Sequence, residues 1–483
     1  MQKKLFSNMA LLLGINLLIK PIWILVIDVS VQNKVGYESY GEYISMFNLA
    51  LILTMLLDFG INNYNSTSIA KDPQILGKQF SQLISLKILL SAIYILSTLA
   101  LAKMYGFSST ALYMILLLSV NQVIAHFGTY IRSNFLGLQL FKTDAWLSAM
   151  DRAVMIILGV LMLAGYVFET KISHFILIQS IGYISVLLLS FRLVWPHIHT
   201  FSLSFDSRLL FDIFKKTYPY AILVFIMLLY SKWDVLFIKK MLSDGNLQNG
   251  IYARAGRILE AATLMIGSAA TIMLPLFARM IGNKDDLTPI IKSLLTLVAF
   301  PVITFSIWAS VNNRDVMGML PVGENESVFS VFSILILVFI PQTFIYIFGA
   351  LLTAGGYLRT LIIICSIGLL ISLVANIWLI PYYGAIGAAI AALITQVTVG
   401  FGKVYWAIIK MKISYSLFDS ISMFLYILMI SLVAFWLNYI EINFVIAGVV
   451  LFVMYTVYAL FLGPLKYSYI HGLIRTLLRP NKQ

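Results

Sequence analysis

One cysteine in 483 residues, Cys365, excludes an intrachain disulfide and any multi-cysteine metal site. Charge is nearly as scarce: 11% of the residues are Asp, Glu, Lys or Arg, against 61% hydrophobic, and mean hydropathy is +0.94. That balance excludes an ordinary soluble domain. Enzyme signatures are missing as well, with no Walker loop and no His-Glu-x-x-His spacing. His126, His174, His197, His199 and His471 are scattered, and the His197–His199 pair reads as polar loop rather than metal site. Asp285 and Asp286 read as a solvated helix start. No catalytic group, metal ligand or cofactor is expected, and no connection is long enough to form a soluble domain.

What is present is a succession of apolar runs over the whole length, the mark of an all-α polytopic membrane protein. By length and apolarity they give about 14 spans, near residues 6–29, 43–63, 80–104, 109–131, 149–168, 173–194, 217–241, 251–279, 288–311, 328–353, 358–380, 384–409, 416–438 and 444–463. Pro381, Tyr382, Tyr383 and Gly384 form a turn short enough to force a tight helical hairpin. Met1, Gln2, Lys3 and Lys4 lead into a full-length span, so no cleavable signal peptide is expected. With the N-terminus inside, roughly 22 basic residues fall on cytosolic segments and 6 outside. Arg132, Arg152 and Lys403 are counted with the former. This bias places both termini in the cytosol and accounts for the +13 balance without nucleic acid.

The stretch from Tyr40 to Pro73 organises the chain. Gly41 and Tyr43 open an apolar run that nevertheless carries Asn48 and Asp58, so one side must face protein, water or the membrane surface. Gly250 and Tyr252 open a second such run, ending near Pro275 and Arg279. Aligning the two sets Asn48 against Arg257 and Asp58 against Gly267, a pattern of two related halves.

Ionisable residues inside spans are the candidates for function. Lys20, next to Pro21, and Lys232 lie at similar depth in spans 1 and 7; Arg254 and Arg257 share one side of span 8. Four cations in an apolar cavity suit a diphosphate, whose oxygens accept several charge-assisted hydrogen bonds. Asp28, Asp58, Asp234 and Glu260 are candidate charge partners or ion-coupling groups. Lys87, two turns into span 3, is expected to snorkel to the cytosolic surface.

Several segments resemble the bacterial polysaccharide-synthesis (O-antigen) flippase family. They are Tyr40 to Tyr43, Asp58 to Gly60, Leu274 to Leu276, Ala354 to Arg359 and Tyr383 to Ala389. That family belongs to the multidrug/oligosaccharidyl-lipid/polysaccharide exporter superfamily. The resemblance implies a V-shaped transporter with six-helix lobes at residues 1–200 and 201–412, and an accessory pair with a cytosolic tail at 413–483. It implies an inner-membrane flippase, not an enzyme, carrying an undecaprenyl-diphosphate-linked oligosaccharide by alternating access. Polysaccharide polymerase machinery is the implied protein partner. Alternatives are a lipid II flippase or multidrug exporter of the same superfamily. A membrane-embedded polymerase or glycosyltransferase is the alternative of another class; the short outer loops argue against it.

Overall fold

A positive φ at Gly36 (+84°) separates the first helix from the second, and turns of this kind punctuate the chain. The computed structural model describes residue 14 and residues 18–198, 207–320, 325–414 and 417–461, and these residues are helical without a strand. The start of the first predicted span, His199 and both predicted cytosolic termini lie outside them.

Helix α1 covers residues 18–35 and is wound as a π-helix over Trp23–Asp28. It is followed by α2 (Tyr37–Ile52), α3 (Met55–Lys71), α4 (Leu76–Met104), α5 (Ser109–Gly137), α6 (Phe141–Leu163) and α7 (Ile172–Val194). Next come α8 (Ser207–Lys232), α9 (Asp234–Met241), α10 (Gly245–Asn283), α11 (Thr288–Val311), α12 (Ser327–Ala354), α13 (Leu358–Met411), α14 (Leu417–Tyr439) and α15 (Phe444–Phe461). Nine helices are long and apolar enough to cross a membrane among the described residues, or eleven if each of two bent pairs is one span.

The bent pairs correct the reading of spans 2 and 7 as single helices. Between α2 and α3 the axis turns by 41°, and Phe59 and Gly60 adopt left-handed φ values of +43° and +80° inside α3. Between α8 and α9 it turns by 43°. Such breaks free backbone carbonyls at membrane depth, which is tolerated only where protein or water satisfies them.

The expected hairpin at Pro381–Gly384 forms within α13. Gly384 adopts φ +56° and ψ −132°, and the two arms fold back on each other. A Cβ on Gly368 would lie 2.3 Å from Val399 Cγ2, and one on Gly402 would lie 2.9 Å from Ile364 Cγ2, two contacts symmetric about the turn. The turn itself is held by Gln248, whose Oε1 accepts from the Ala385 N–H at 3.1 Å.

Contacts divide the chain into two compact units, Met1–Arg257 with Asn376–Ala385, and Ile258–Ala375 with Ile386–Gln483. In the first, α3, α4 and α5 close around Ile61, Phe80, Leu83, Tyr130 and Phe135. In the second, α14 and α15 pack on α11 through Phe300, Ile303, Ile307, Tyr426, Ile430 and Leu451. Trp308 Nε1 fixes this packing by donating to Phe444 O at 2.9 Å. Lys403, read from the sequence as a cytosolic fringe charge, is 3% exposed in the second unit. Its Nζ lies beside Gly349, 3.3 Å from where a Cβ there would stand.

Candidate functional site

The two aligned glycines meet within the first unit. A Cβ on Gly41 would lie 1.8 Å from Asn246 O, and a Cβ on Gly250 would lie 2.1 Å from Tyr37 O. Asn246 stands to Gly250 as Tyr37 stands to Gly41, so the contact is reciprocal, as across a two-fold axis. Asn249 Nδ2 to Ser45 Oγ (2.9 Å) and Gln32 Nε2 to Gly250 O (2.8 Å) flank the crossing. The glycines of Gly41-x-Tyr43 and Gly250-x-Tyr252 thus share one local need: both helices require a bare backbone where they touch.

Beside this crossing lie Arg254 and Arg257. Arg257 Nη1 pairs with Asp28 Oδ2 at 3.0 Å, while Tyr40 OH bridges Asp28 Oδ1 and Arg257 Nη2. Arg254, 0% exposed, donates to Val29 O at 3.1 Å and Asn33 Oδ1 at 2.7 Å. Both guanidiniums therefore staple α10 to the α1–α2 region. Lys20 has a different charged environment, made of Arg152, Asp151 and Arg132. Lys232 is half-buried and within electrostatic range of Asp234. Asp234 is itself buried and accepts from Asn376 Nδ2 (2.9 Å) and Tyr252 OH (3.2 Å). Glu260 is exposed on α10.

Asp58 sits at the break in α3 and accepts from the Asn62 N–H at 3.2 Å. Lys87 reaches it. The expectation that Lys87 snorkels outward is overturned: it is 2% exposed, donates to Leu57 O at 2.7 Å, and lies 3.8 Å from Asp58 Oδ1. The broken helix supplies a carbonyl and a carboxylate, so the ammonium is satisfied inside. Removing Asp58 strands a buried cation, whereas removing Lys87 leaves a carboxylate that is 28% exposed. Asp58→Ala is therefore expected to lower the unfolding temperature of the purified protein more than Lys87→Met. Equal effects would mean the pair is not what stabilises the break.

The feature that sequence reading missed is a cavity of about 250 Å³ in the first unit. Its lining includes Gln122, His126 and Arg132 from α5, Asp151 and Arg152 from α6, and Tyr183 from α7. By sequence Arg152 counts as a cytosolic charge just inside span 5. Because α6 begins at Phe141, it stands mid-helix, its guanidinium 5.7 Å from the centroids of both Trp23 and Tyr183. It donates to Tyr183 OH at 3.4 Å and Met155 Sδ at 3.3 Å, and no carboxylate lies within ion-pair distance among the described residues. Arg132 is paired with Asp144 at 2.8 Å. With Lys20 close by, the site carries more cation than its carboxylates neutralise. A guanidinium held by aromatic faces keeps its N–H fork open to a planar or tetrahedral oxyanion.

The described residues form long apolar helices, two pairs of them bent, with a charged cavity within the first unit, and solved structures share this fold. The chain is similar in fold to an inward-facing multidrug resistance MATE family transporter of the MOP superfamily: TM-score 0.63, 12% identity, 81% of this chain and 94% of that one covered. It is also similar to the lipid II flippase MurJ in an inward closed conformation: TM-score 0.63, 15% identity, 98% of both chains covered. A third neighbour is a MOP superfamily transporter from Pyrococcus furiosus, at TM-score 0.60 and 13% identity, covering 85% of this chain and 96% of that one. No curated protein matches the sequence. A family model described as "Polysaccharide biosynthesis protein" matches residues 5–281, and the chain belongs to that family.

Proposed function

We propose that this protein is a flippase that carries an undecaprenyl-diphosphate-linked oligosaccharide, an O-antigen or other surface-polysaccharide repeat unit, across the bacterial inner membrane. The observation that carries this reading is the cation-rich cavity of the first unit: Arg152 lines it with Lys20 in electrostatic range, and Asp151, the carboxylate both share, is within ion-pair distance of neither among the described residues. A diphosphate leaving water needs that charge compensation, and the same cations repel a cationic drug. Lys20 and Arg152, with Arg132, are assigned to the diphosphate. Arg254 and Arg257 are assigned to holding α10, and Lys232 to the neighbourhood of Asp234.

In this reading the lobes at residues 1–200 and 201–412 rock around the head group while the lipid tail stays in the membrane. The pair at 413–483 is accessory to the lobes, and both termini are cytosolic. Of the candidate coupling groups, Asp28 is engaged by Arg257 and Asp58 by Lys87. Asp234, hydrogen-bonded by two neutral donors with Lys232 in electrostatic range but not in ion-pair contact, takes the coupling role.

The test is head-group translocation in proteoliposomes with a fluorescent undecaprenyl-diphosphate sugar. Arg152→Ala and Lys20→Ala are each expected to slow transport at least about tenfold, the worth of one charge-assisted hydrogen bond. Folded variants that both transport at the wild-type rate would sink the assignment. Preference for lipid II over other diphosphate lipids would move the protein to that cargo.

A further inference from the structure

The cavity is not built for an anion alone. Asp151 faces it among the cations: its Oδ1 accepts the Arg152 backbone N–H at 2.7 Å, and no cation lies within ion-pair distance of the carboxylate among the described residues. Gln122, only 7% exposed, lines the same space with no hydrogen-bond partner for its amide among the described residues. A carboxylate beside a bound diphosphate weakens anion binding, and an amide that opens on the cavity without a protein partner is free to bond a ligand. Both become favourable when the ligand brings hydroxyl or amide N–H donors close to its phosphates. At about 250 Å³ the cavity is smaller than the usual ligand pocket of roughly 300–1,000 Å³, so it holds a head group and one ring rather than an oligosaccharide.

We infer that this pocket reads the lipid-proximal sugar 1-phosphate: Arg152 and Lys20 take the phosphate oxygens, while Asp151 and Gln122 take donors on the first sugar ring. The inference rests on the diphosphate reading of the site. It sets a specificity rule. A neutral first sugar bearing hydroxyl or acetamido donors is accepted, and a uronic acid is rejected, because its carboxylate would meet Asp151 with no proton between them. Sugars further along the chain lie outside the pocket and are not read by it.

The experiment uses the purified full-length protein and three probes of one tail length: farnesyl diphosphate, farnesyl-diphospho-N-acetylglucosamine and farnesyl-diphospho-glucuronic acid. Binding is followed through the fluorescence of tryptophan, Trp23 lying against Arg152. The expected result is that the acetamido sugar binds at least about tenfold more tightly than the uronate. Asp151→Asn should collapse that ratio below about threefold, and Gln122→Ala should narrow the advantage of the acetamido sugar over the sugarless probe. Wild type that binds all three alike overturns the sugar reading and leaves the anion pocket standing. Folded wild type that binds none of them overturns both.

Discussion

Asp28→Ala is expected to destabilise the folded protein by about 3–5 kcal/mol, as is Arg257→Ala, because each leaves its partner charged and enclosed. The two side chains are 9% and 6% exposed, and Tyr40 closes the arrangement by hydrogen-bonding both. Tyr40→Phe should cost less, about 1–3 kcal/mol, since it strands polar atoms without stranding a charge. A double substitution of Asp28 and Arg257 by apolar residues of similar size should recover much of either single loss. Cys365 supplies the readout: the chain's one thiol is buried, so a thiol-reactive dye reports unfolding. Single losses that simply add in the double variant would show that the pair is not coupled. Transport decides the role of Arg257. If it is structural, the fraction of Arg257→Ala that remains folded transports normally, whereas the folded fraction of Arg152→Ala does not.

The second large effect is expected at the helix crossing. Gly41→Val and Gly250→Val each drive a side chain into a carbonyl oxygen, at Asn246 and Tyr37 respectively, and backbone cannot swing aside as a side chain can. The loss should reach the top of the about 1–3 kcal/mol range of overpacking or exceed it. Because the contact is reciprocal, the two substitutions should be similar in size. Gly282→Ala, whose Cβ meets nothing within 4 Å, is the matched control and should be nearly neutral. A large loss at only one of the two glycines would argue against a shared, symmetric contact.

These residues also separate what the amino-acid sequence makes legible from what it hides. The Gly41 and Gly250 positions were visible because a bare backbone at a helix crossing leaves a glycine at the same place in both halves. Asp28 was visible as a partner for the buried arginines because a charge inside a span demands one. The hairpin at Gly384 was visible from a turn between two spanning runs. Arg152 was hidden by a boundary. Lys142 and Asp144 depress the apolarity of the first turn of α6, so by apolarity the run begins at 149 and the arginine falls on its fringe. Asp144 is neutralised by Arg132 of the neighbouring helix, a pairing that spacing along the chain does not announce. Lys87 was hidden for the same kind of reason: its acceptor at Leu57 exists because the backbone breaks two residues later. Span existence follows from local composition, while the site depends on which charges tertiary contacts have already cancelled.

The tight turn at Gly384 also bears on how the protein enters the membrane. The second arm of α13 carries Lys403 well inside its apolar length, and a lysine at the centre of a lone inserting segment costs about 2.5–3.5 kcal/mol. Folded against the first arm, which is apolar from Leu361 to Ile380 save for small polar groups, the second is carried by its partner's insertion free energy. The two arms are thereby suited to leave the insertion machinery as a pair, with the lysine's final shelter at Gly349 already synthesised upstream.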